Sequence, residues 1–91
     1  MNLFVTERAR IELGRRIVSA GAPLHSGLRI CQRPGTEALM IELVVEPAPG
    51  DTVVTDRGAH VYLGPVAAQR LQNHTLDVRS RVGGGMEFVS R

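Results

Sequence analysis

The sequence predicts one α+β domain that is mainly β, and three features support this prediction. Residues 39–45 and 59–63 place apolar side chains at odd positions, the period of two that is typical of strands with one buried face. Asp56, Arg57 and Gly58 precede the second of these segments, which indicates a hairpin with Gly58 in the left-handed conformation. Residues 7–20 instead repeat apolar side chains at helical spacing. Ninety-one residues suffice for a single modest core, so we expect residues 1–91 to form one domain.

The N-terminal segment predicts a short edge strand followed by an amphipathic helix. Leu3 and Val5 would lie in the strand, and Thr6 is placed to cap the helix. The apolar stripe of that helix would contain Ala9, Leu13 and Ile17, with Ile11 and Val18 beside it.

The outer side of the first helix is charged. Glu12 and Arg16 stand in the favourable order for an i,i+4 ion pair. The arginines could form a docking patch, but a solvated helix face is the favoured interpretation; they are Arg8, Arg10, Arg15 and Arg16.

Alternation resumes at residues 28–32, where Leu28 and Ile30 would point inward while Arg29 and Cys31 point the other way.

Proline and glycine residues indicate the turns on either side of the next strand. Pro34-Gly35 leads into the strand at 39–45, and Pro49-Gly50 fits the central pair of a type II turn. On the other side of the strand at 39–45, Met40 and Val44 would mark an interface if exposed, as would Tyr62 on the strand that follows.

A second, short helix is expected near residues 65–72. Pro65 suits its first turn, and Ala67 and Leu71 fall one turn apart on one side. Asn73 can end it in a left-handed conformation. Beyond it, strands are expected at 76–79 and 86–89, with Leu76 and Val78 alternating with Asp77 and Arg79. The glycines at 83–85 favour a tight turn between these strands over a phosphate cradle, because no helix pattern follows them.

Composition argues against several classes of function. The net charge is only +2, and two Phe and one Tyr offer few surfaces on which bases could stack, so we expect no nucleic-acid partner. No apolar run approaches the roughly 20 residues that span a bilayer, so we expect no membrane segment. The first residues lack the pattern of a secretory signal, which makes a cytoplasmic location the expectation.

No arrangement of residues indicates an enzyme. A nucleophile needs a base within hydrogen-bond reach, and neither Cys31 nor any serine stands in a recognisable motif; the serines are Ser19, Ser26, Ser80 and Ser90. Capping and turn hydrogen bonds account for the aspartates, which are Asp51, Asp56 and Asp77.

Taken together, several short motifs resemble the HesB/IscA family, the A-type carriers of iron–sulfur cluster biogenesis. The most specific are Ile41-Glu42-Leu43-Val44-Val45-Glu46-Pro47, Gly50-Asp51-Thr52, Asp56-Arg57-Gly58, Pro65-Val66-Ala67-Ala68, Thr75-Leu76-Asp77 and Gly84-Gly85-Met86-Glu87-Phe88. The resemblance extends over nearly the whole chain. It implies a HesB-like domain of two small mixed β-sheets with the N-terminal helix packed on it, a tendency to form a homodimer, and a link to iron–sulfur cluster assembly.

The sequence departs from this resemblance at the cysteines. Carriers of the family have a cysteine in a Gly-Cys-Ser-Gly-like loop before the central strand, and a Cys-Gly-Cys-like pair beyond the last strand. Here the loop reads Arg33-Pro34-Gly35-Thr36-Glu37 and is a few residues shorter, and the sequence reaches Arg91 without such a pair. Cys31 lies in the preceding strand, so the family's ligand role does not transfer to it.

Cys31 is nevertheless the one candidate metal ligand. Iron in such clusters is held by thiolates and occasionally by imidazole. A lone strand cysteine is more often a packing residue, and the histidines lack metal-ligand spacing; they are His25, His60 and His74. Two Cys31 thiolates could meet across a symmetric dimer if its axis passed near them.

Three functional hypotheses follow. In the first, a HesB/IscA-like domain without the family ligands and without a cofactor acts as a binding or regulatory partner of iron–sulfur assembly components. In the second, it still carries iron or a cluster through Cys31 at a homodimer interface. In the third, it is a general protein-interaction domain unrelated to iron.

Overall fold

The computed structural model describes residues 2–91 and contains, within them, seven strands and two helices. In chain order these are β1 (Phe4–Val5), α1 (Glu7–Ser19), β2 (Gly27–Gln32), β3 (Leu39–Val44), β4 (Thr52–Asp56), β5 (Ala59–Leu63), α2 (Pro65–Arg70), β6 (Thr75–Ser80) and β7 (Met86–Ser90). The predicted α+β, mainly β class is confirmed, as are both helices.

The strands form two mixed sheets, also as predicted. The smaller sheet has the order β1-β6-β7, and the larger has the order β3-β2-β5-β4. In the smaller sheet β1 pairs parallel with β6 while β7 pairs antiparallel. In the larger sheet β2 and β5 are parallel neighbours, and β3 and β4 pair antiparallel with them as the edge strands.

The core lies between the two sheets and the helices, and it contains the side chains that the alternating pattern predicted to be buried. The buried set includes Leu28, Ile30, Val61, Leu63, Ala67, Leu71, Leu76 and Val78. Each fully buried large aliphatic side chain contributes about 1.5–3 kcal/mol relative to exposure, so this set accounts for much of the stability.

Helix α1 begins as expected, because Thr6 Oγ1 accepts a hydrogen bond from the Ala9 backbone N–H at 3.1 Å. Its buried residues are Ala9, Leu13 and Ile17. The expectation that Ile11 and Val18 lie beside this buried stripe is wrong, since they are 52% and 71% exposed. At about 100° per residue, these positions are rotated too far from the stripe to reach the core.

Two arginines on the solvated side of α1 also contact the smaller sheet. Arg16 forms the predicted pair with Glu12 at 2.8 Å, and its guanidinium also lies 4.5 Å from the centre of the Phe88 ring. Arg8 lies 3.1 Å from the carboxylate of Asp77. These contacts connect α1 to the smaller sheet, while the side chains of Arg8 and Arg16 stay 69% and 38% exposed, in line with the expected solvated face.

The turns follow the glycines and asparagine that the sequence singled out. Gly50, Gly58 and Asn73 all have positive φ, and Asp51 N donates to Ala48 O at 3.1 Å across the Pro49-Gly50 turn. Arg57 also has a positive φ of 51°, so both central residues of the β4–β5 hairpin are left-handed. That geometry matches the twist of the flanking strands.

Strand β3 is less buried than its pattern predicts. Leu39 and Leu43 pack against the core, but Ile41 and Val45 remain 39% and 48% exposed. The reason is that β3 lies at the edge of its sheet, where one side has no neighbouring strand. Within residues 2–91, no helix is long and apolar enough to cross a membrane.

Candidate functional site

The face of the larger sheet that points away from the core is the candidate site, and we call it the outer face. Its position follows from β2: Leu28 and Ile30 point into the core, so Arg29 and Cys31 point outward. Directly paired residues of neighbouring strands share a face. The register therefore adds Met40, Glu42, Val44, Val53, Thr55, His60 and Tyr62 to the outer face.

An ion pair stands at the centre of the outer face. Arg29 donates two hydrogen bonds to Asp51, from Nε to Oδ2 at 2.8 Å and from Nη2 to Oδ1 at 2.9 Å. The Asp51 side chain is fully buried and also accepts from the Ala48 backbone N–H at 2.9 Å. The Arg29 hydrogen bonds lower the pKa of Asp51, and the same bonds raise the pKa of Arg29. Both groups are therefore charged at neutral pH, and Arg29 is held in one orientation.

Tyr62 fills the outer face beside this pair. A Cβ placed on Gly27 would lie 2.6 Å from Tyr62 Cε2, which shows that the ring lies directly over that glycine. The ring also stacks on His60, with centroids 6.2 Å apart. Tyr62 is consequently buried, and Met40 and Val44 are half-buried, so neither predicted interface position presents a flat exposed apolar patch.

Cys31 lies at the edge of the outer face, half-buried and with a free thiol. It pairs with Met40 of β3, and on its other side a Cβ at Gly64 would lie 3.2 Å from Cys31 Cβ. An open groove of about 440 Å³ runs past the thiol; its lining is Arg29, Cys31, Gln32, Pro34, Met40, Glu42, Gly64, Pro65 and Val66. Cys31 is thus accessible from outside rather than packed in the core.

The histidines do not join Cys31. His60 is on the outer face, but its Nδ1 lies 3.0 Å from Thr55 Oγ1, and it stands four residues before Gly64, the neighbour of Cys31. At about 3.3 Å per strand residue, that places it roughly 13 Å from Cys31. His25 lies in the exposed loop before β2, and His74 lies between α2 and β6.

These donors do not fit a cluster within one chain. Among residues 2–91, no three His, Cys, Asp or Glu side chains come close enough to hold a metal ion. Iron–sulfur clusters take their ligands chiefly from cysteine thiolates, and the sequence has one. Any site that includes Cys31 therefore needs donors from outside the chain.

The loop between β2 and β3, residues 33–38, is closed by its own hydrogen bonds. Arg33 N donates to Ala38 O at 2.8 Å, and Thr36 N donates to Arg33 O at 3.1 Å. Thr36 Oγ1 donates to Arg33 O and accepts from Ala38 N. From α2, Arg70 Nη1 donates to Glu37 O at 2.6 Å. This loop is a tied turn without a thiol or an imidazole.

Sequence reasoning missed the Arg29–Asp51 pair. Alternation placed Arg29 on the outer face, and Asp51 was assigned to turn hydrogen bonds, of which the Ala48 bond is one. Their meeting depends on the packing of the β3–β4 connection against β2, 22 residues away in the chain. No local sequence pattern predicts that Arg29 and Asp51 are in contact. The available signal was the charge of Arg29, which lies between two buried positions of β2.

No family model matches this sequence, and no curated protein matches it significantly. Solved structures do match its fold. IscA with a 2Fe–2S cluster aligns at a TM-score of 0.76 and 25% identity, over 99% of this chain and 84% of that one. Escherichia coli SufA, involved in the biosynthesis of iron–sulfur clusters, aligns at 0.71 and 22% identity, over 100% and 85%. A protein from Aquifex aeolicus, solved in solution, aligns at 0.74 and 23% identity, over 100% and 94%. These likenesses confirm the predicted HesB/IscA-like fold.

Proposed function

We propose that this protein, which has the HesB/IscA-like fold, acts beside iron–sulfur cluster assembly as a non-enzymatic binding or regulatory partner. It would work in the cytoplasm, as a homodimer or with protein components of assembly, and would not ligate a cluster through the cysteine loop of the family. The likeness to IscA and SufA supports the connection to assembly. Because a fold alone does not fix a function, the site must support the rest of the proposal.

The tied loop at residues 33–38 is the observation that carries the proposal. By resemblance, this loop is where a family carrier has its first cysteine, yet here its hydrogen bonds close the turn or fasten it to β2 and α2. A soft thiolate donor is what iron in a cluster requires. The loop keeps the scaffold's shape while offering none.

The experiment uses cluster-loaded IscA as donor and an apo-ferredoxin as recipient, with this protein added in increasing amounts. We expect it to bind the donor or the recipient and to change the cluster transfer rate at least twofold while staying colourless itself. Bovine serum albumin at equal concentration is the control. Absence of both binding and a rate change would instead favour an interaction domain unrelated to iron.

One observation favours a second candidate function, an iron or cluster carrier that uses Cys31 at a homodimer interface. The thiol opens on the groove of the outer face beside Arg29 rather than packing in the core. Two copies could bring two thiolates together, with glutathione or histidine completing the ligand set. This candidate predicts that bound iron disappears in Cys31→Ser, and that sedimentation shows a dimer whenever iron is present.

A further inference from the structure

We propose that a groove between α1 and the β4–β5 turn, away from the outer face, docks an acidic and apolar segment of a partner protein. We call it the helix groove; its lining is Arg10, Leu13, Gly14, Ile17, Val18, Leu24, Arg57, Gly58 and Ala59. The helix groove is a different surface from the outer face, and binding there would not depend on iron.

The helix groove is apolar, and part of it is fully open to solvent. The open groove has a volume of about 280 Å³, enough for a few side chains. Leu13 and Ile17 form its buried wall, whereas Val18 and Leu24 are 71% and 83% exposed at its rim. Val18 and Leu24 thus extend the apolar lining of the helix groove to its exposed rim, where apolar side chains of a partner would cover them.

The charges of the helix groove point to a carboxylate. Arg10 and Arg57 line it, and no acidic residue does so. Arg10 Nε is buried without a hydrogen-bond partner, and among the described residues Arg10 forms no ion pair. Arg57 has only Asp56, at 3.9 Å and well exposed, which is a weak pair. With two arginines and no carboxylate in its lining, the helix groove is positively charged, which favours a partner segment that carries a carboxylate.

Gly14 gives a third, independent argument. It lies in the middle of α1, where glycine is unfavourable relative to alanine. A Cβ at Gly14 would find nothing within 4 Å, so packing within the fold does not require glycine there. The missing side chain leaves room in the helix groove for a side chain of the partner.

The spacing along α1 sets the form of the segment. Arg10 and Val18 are eight residues apart, or about 12 Å along the helix axis. Three or four residues of extended chain span the same distance. The fitting segment therefore has a carboxylate separated by three or four residues from a pair of apolar side chains.

The test is a titration of isotopically labelled protein with the blocked peptide Ac-Asp-Glu-Ser-Leu-Leu-NH2, followed by amide chemical shifts. We expect saturable shifts at Gly14, Val18 and Gly58. Arg10→Gln and Leu24→Ser should each weaken the peptide's affinity at least fivefold. The matched controls Arg81→Gln and Val82→Ser, at exposed positions outside the helix groove, should leave it unchanged.

Four results of the peptide titration would overturn the inference. These are no saturable binding, shifts centred elsewhere, equal affinity for Ac-Lys-Lys-Ser-Leu-Leu-NH2, and equal loss in the control variants. Sedimentation of the protein alone tests whether a second copy is the occupant. A dimer that Leu24→Asp dissociates would assign the helix groove to self-association and refute docking of a partner protein.

Discussion

Two carboxylates connect parts of the chain that are distant in sequence. Asp51 binds Arg29 of β2 from the β3–β4 connection. Asp77 accepts hydrogen bonds from Thr6 Oγ1 at 2.8 Å, Arg8 at 3.1 Å and Arg91 at 2.6 Å. A single residue in each case fixes how one element sits on another, so each offers a residue-scale test of the structure.

Replacing Arg29 by Gln removes the cation from the fully buried Asp51 carboxylate. We expect the free energy of unfolding to fall by about 2 kcal/mol, less than for a fully buried pair because the Arg29 side chain is 20% exposed. Urea unfolding followed by circular dichroism measures the change. Arg81→Gln, at an exposed arginine, is the control, and equal stability of both variants would contradict a structural role for the pair.

Asp77 predicts a pH dependence of stability. Its pKa is lowered first by the Thr6 hydroxyl, then by the Val78 backbone N–H, against a desolvation effect that raises it, with Arg8 lowering it further. A carboxyl group whose pKa is lower in the folded than in the unfolded state stabilises the fold. This stabilisation is complete at pH values above the unfolded-state pKa of about 3.9, and it is lost as the pH falls through the folded-state pKa.

We therefore expect Asp77→Asn to be less stable than the natural sequence near pH 7, with a gap that narrows as the pH falls below about 4. Urea unfolding at several pH values between neutral and strongly acidic measures this gap. Glu87→Gln, in an exposed pair with Arg79, should show a much smaller gap at every pH. A gap for Asp77→Asn that stays constant into strong acid would contradict the assigned contacts.

At the scale of the element, the glycines of α1 and its end behave oppositely. Gly14→Ala should raise the free energy of unfolding by about 0.5–1 kcal/mol, because alanine suits a helix interior and its methyl meets nothing within 4 Å. Gly21→Ala should lower it by about 1 kcal/mol, because φ there is +63°. Thermal unfolding of both variants tests these two expectations. If both substitutions changed the stability in the same direction, α1 or its C-terminal end would be placed wrongly.

Gly27 tests the packing of Tyr62 on the larger sheet. A methyl group there would lie 2.6 Å from both Tyr62 Cε2 and the His60 backbone oxygen, and the backbone cannot yield easily. We expect Gly27→Ala to lower the free energy of unfolding by roughly 1–3 kcal/mol, the usual range for overpacking. Gly64→Ala, whose methyl meets Cys31 Cβ at 3.2 Å, should have a smaller effect. The urea midpoints of the two variants should differ accordingly.

For the whole molecule, sequence patterns predicted the elements well because those patterns are local. The alternation of apolar residues along β2 and β5 identified Leu28 and Val61 as core residues, and Gly58 indicated the hairpin. The placement of Ile11 beside the buried stripe was an error of sequence reasoning, because at about 100° per residue Ile11 lies on the opposite side of α1 from Leu13. Ile41 is exposed because β3 is an edge strand, and the position of a strand in its sheet cannot be predicted from the residues of that strand alone.

The candidate site was predictable only in part. The alternation along β2 placed Cys31 on the outer face. Its neighbours could not be predicted in this way, because Met40 is set by the register between β2 and β3, and Gly64 by the packing of the residue before α2 against β2. The helix groove had no sequence signal, since its two walls are more than thirty residues apart along the chain. Such surfaces arise from the tertiary structure and not from any one segment.

We propose that the molecule keeps the scaffold of its fold without ligating a cluster through the cysteine loop of the family. Anaerobic reconstitution with ferrous iron and sulfide tests it most directly, with absorption spectra and metal analysis of the desalted protein and of Cys31→Ser, and with IscA as the positive control. We expect a colourless, metal-free protein under conditions that load IscA. Thiolate-to-iron charge-transfer bands with stoichiometric iron, absent in Cys31→Ser, would contradict the claim and establish the carrier function instead.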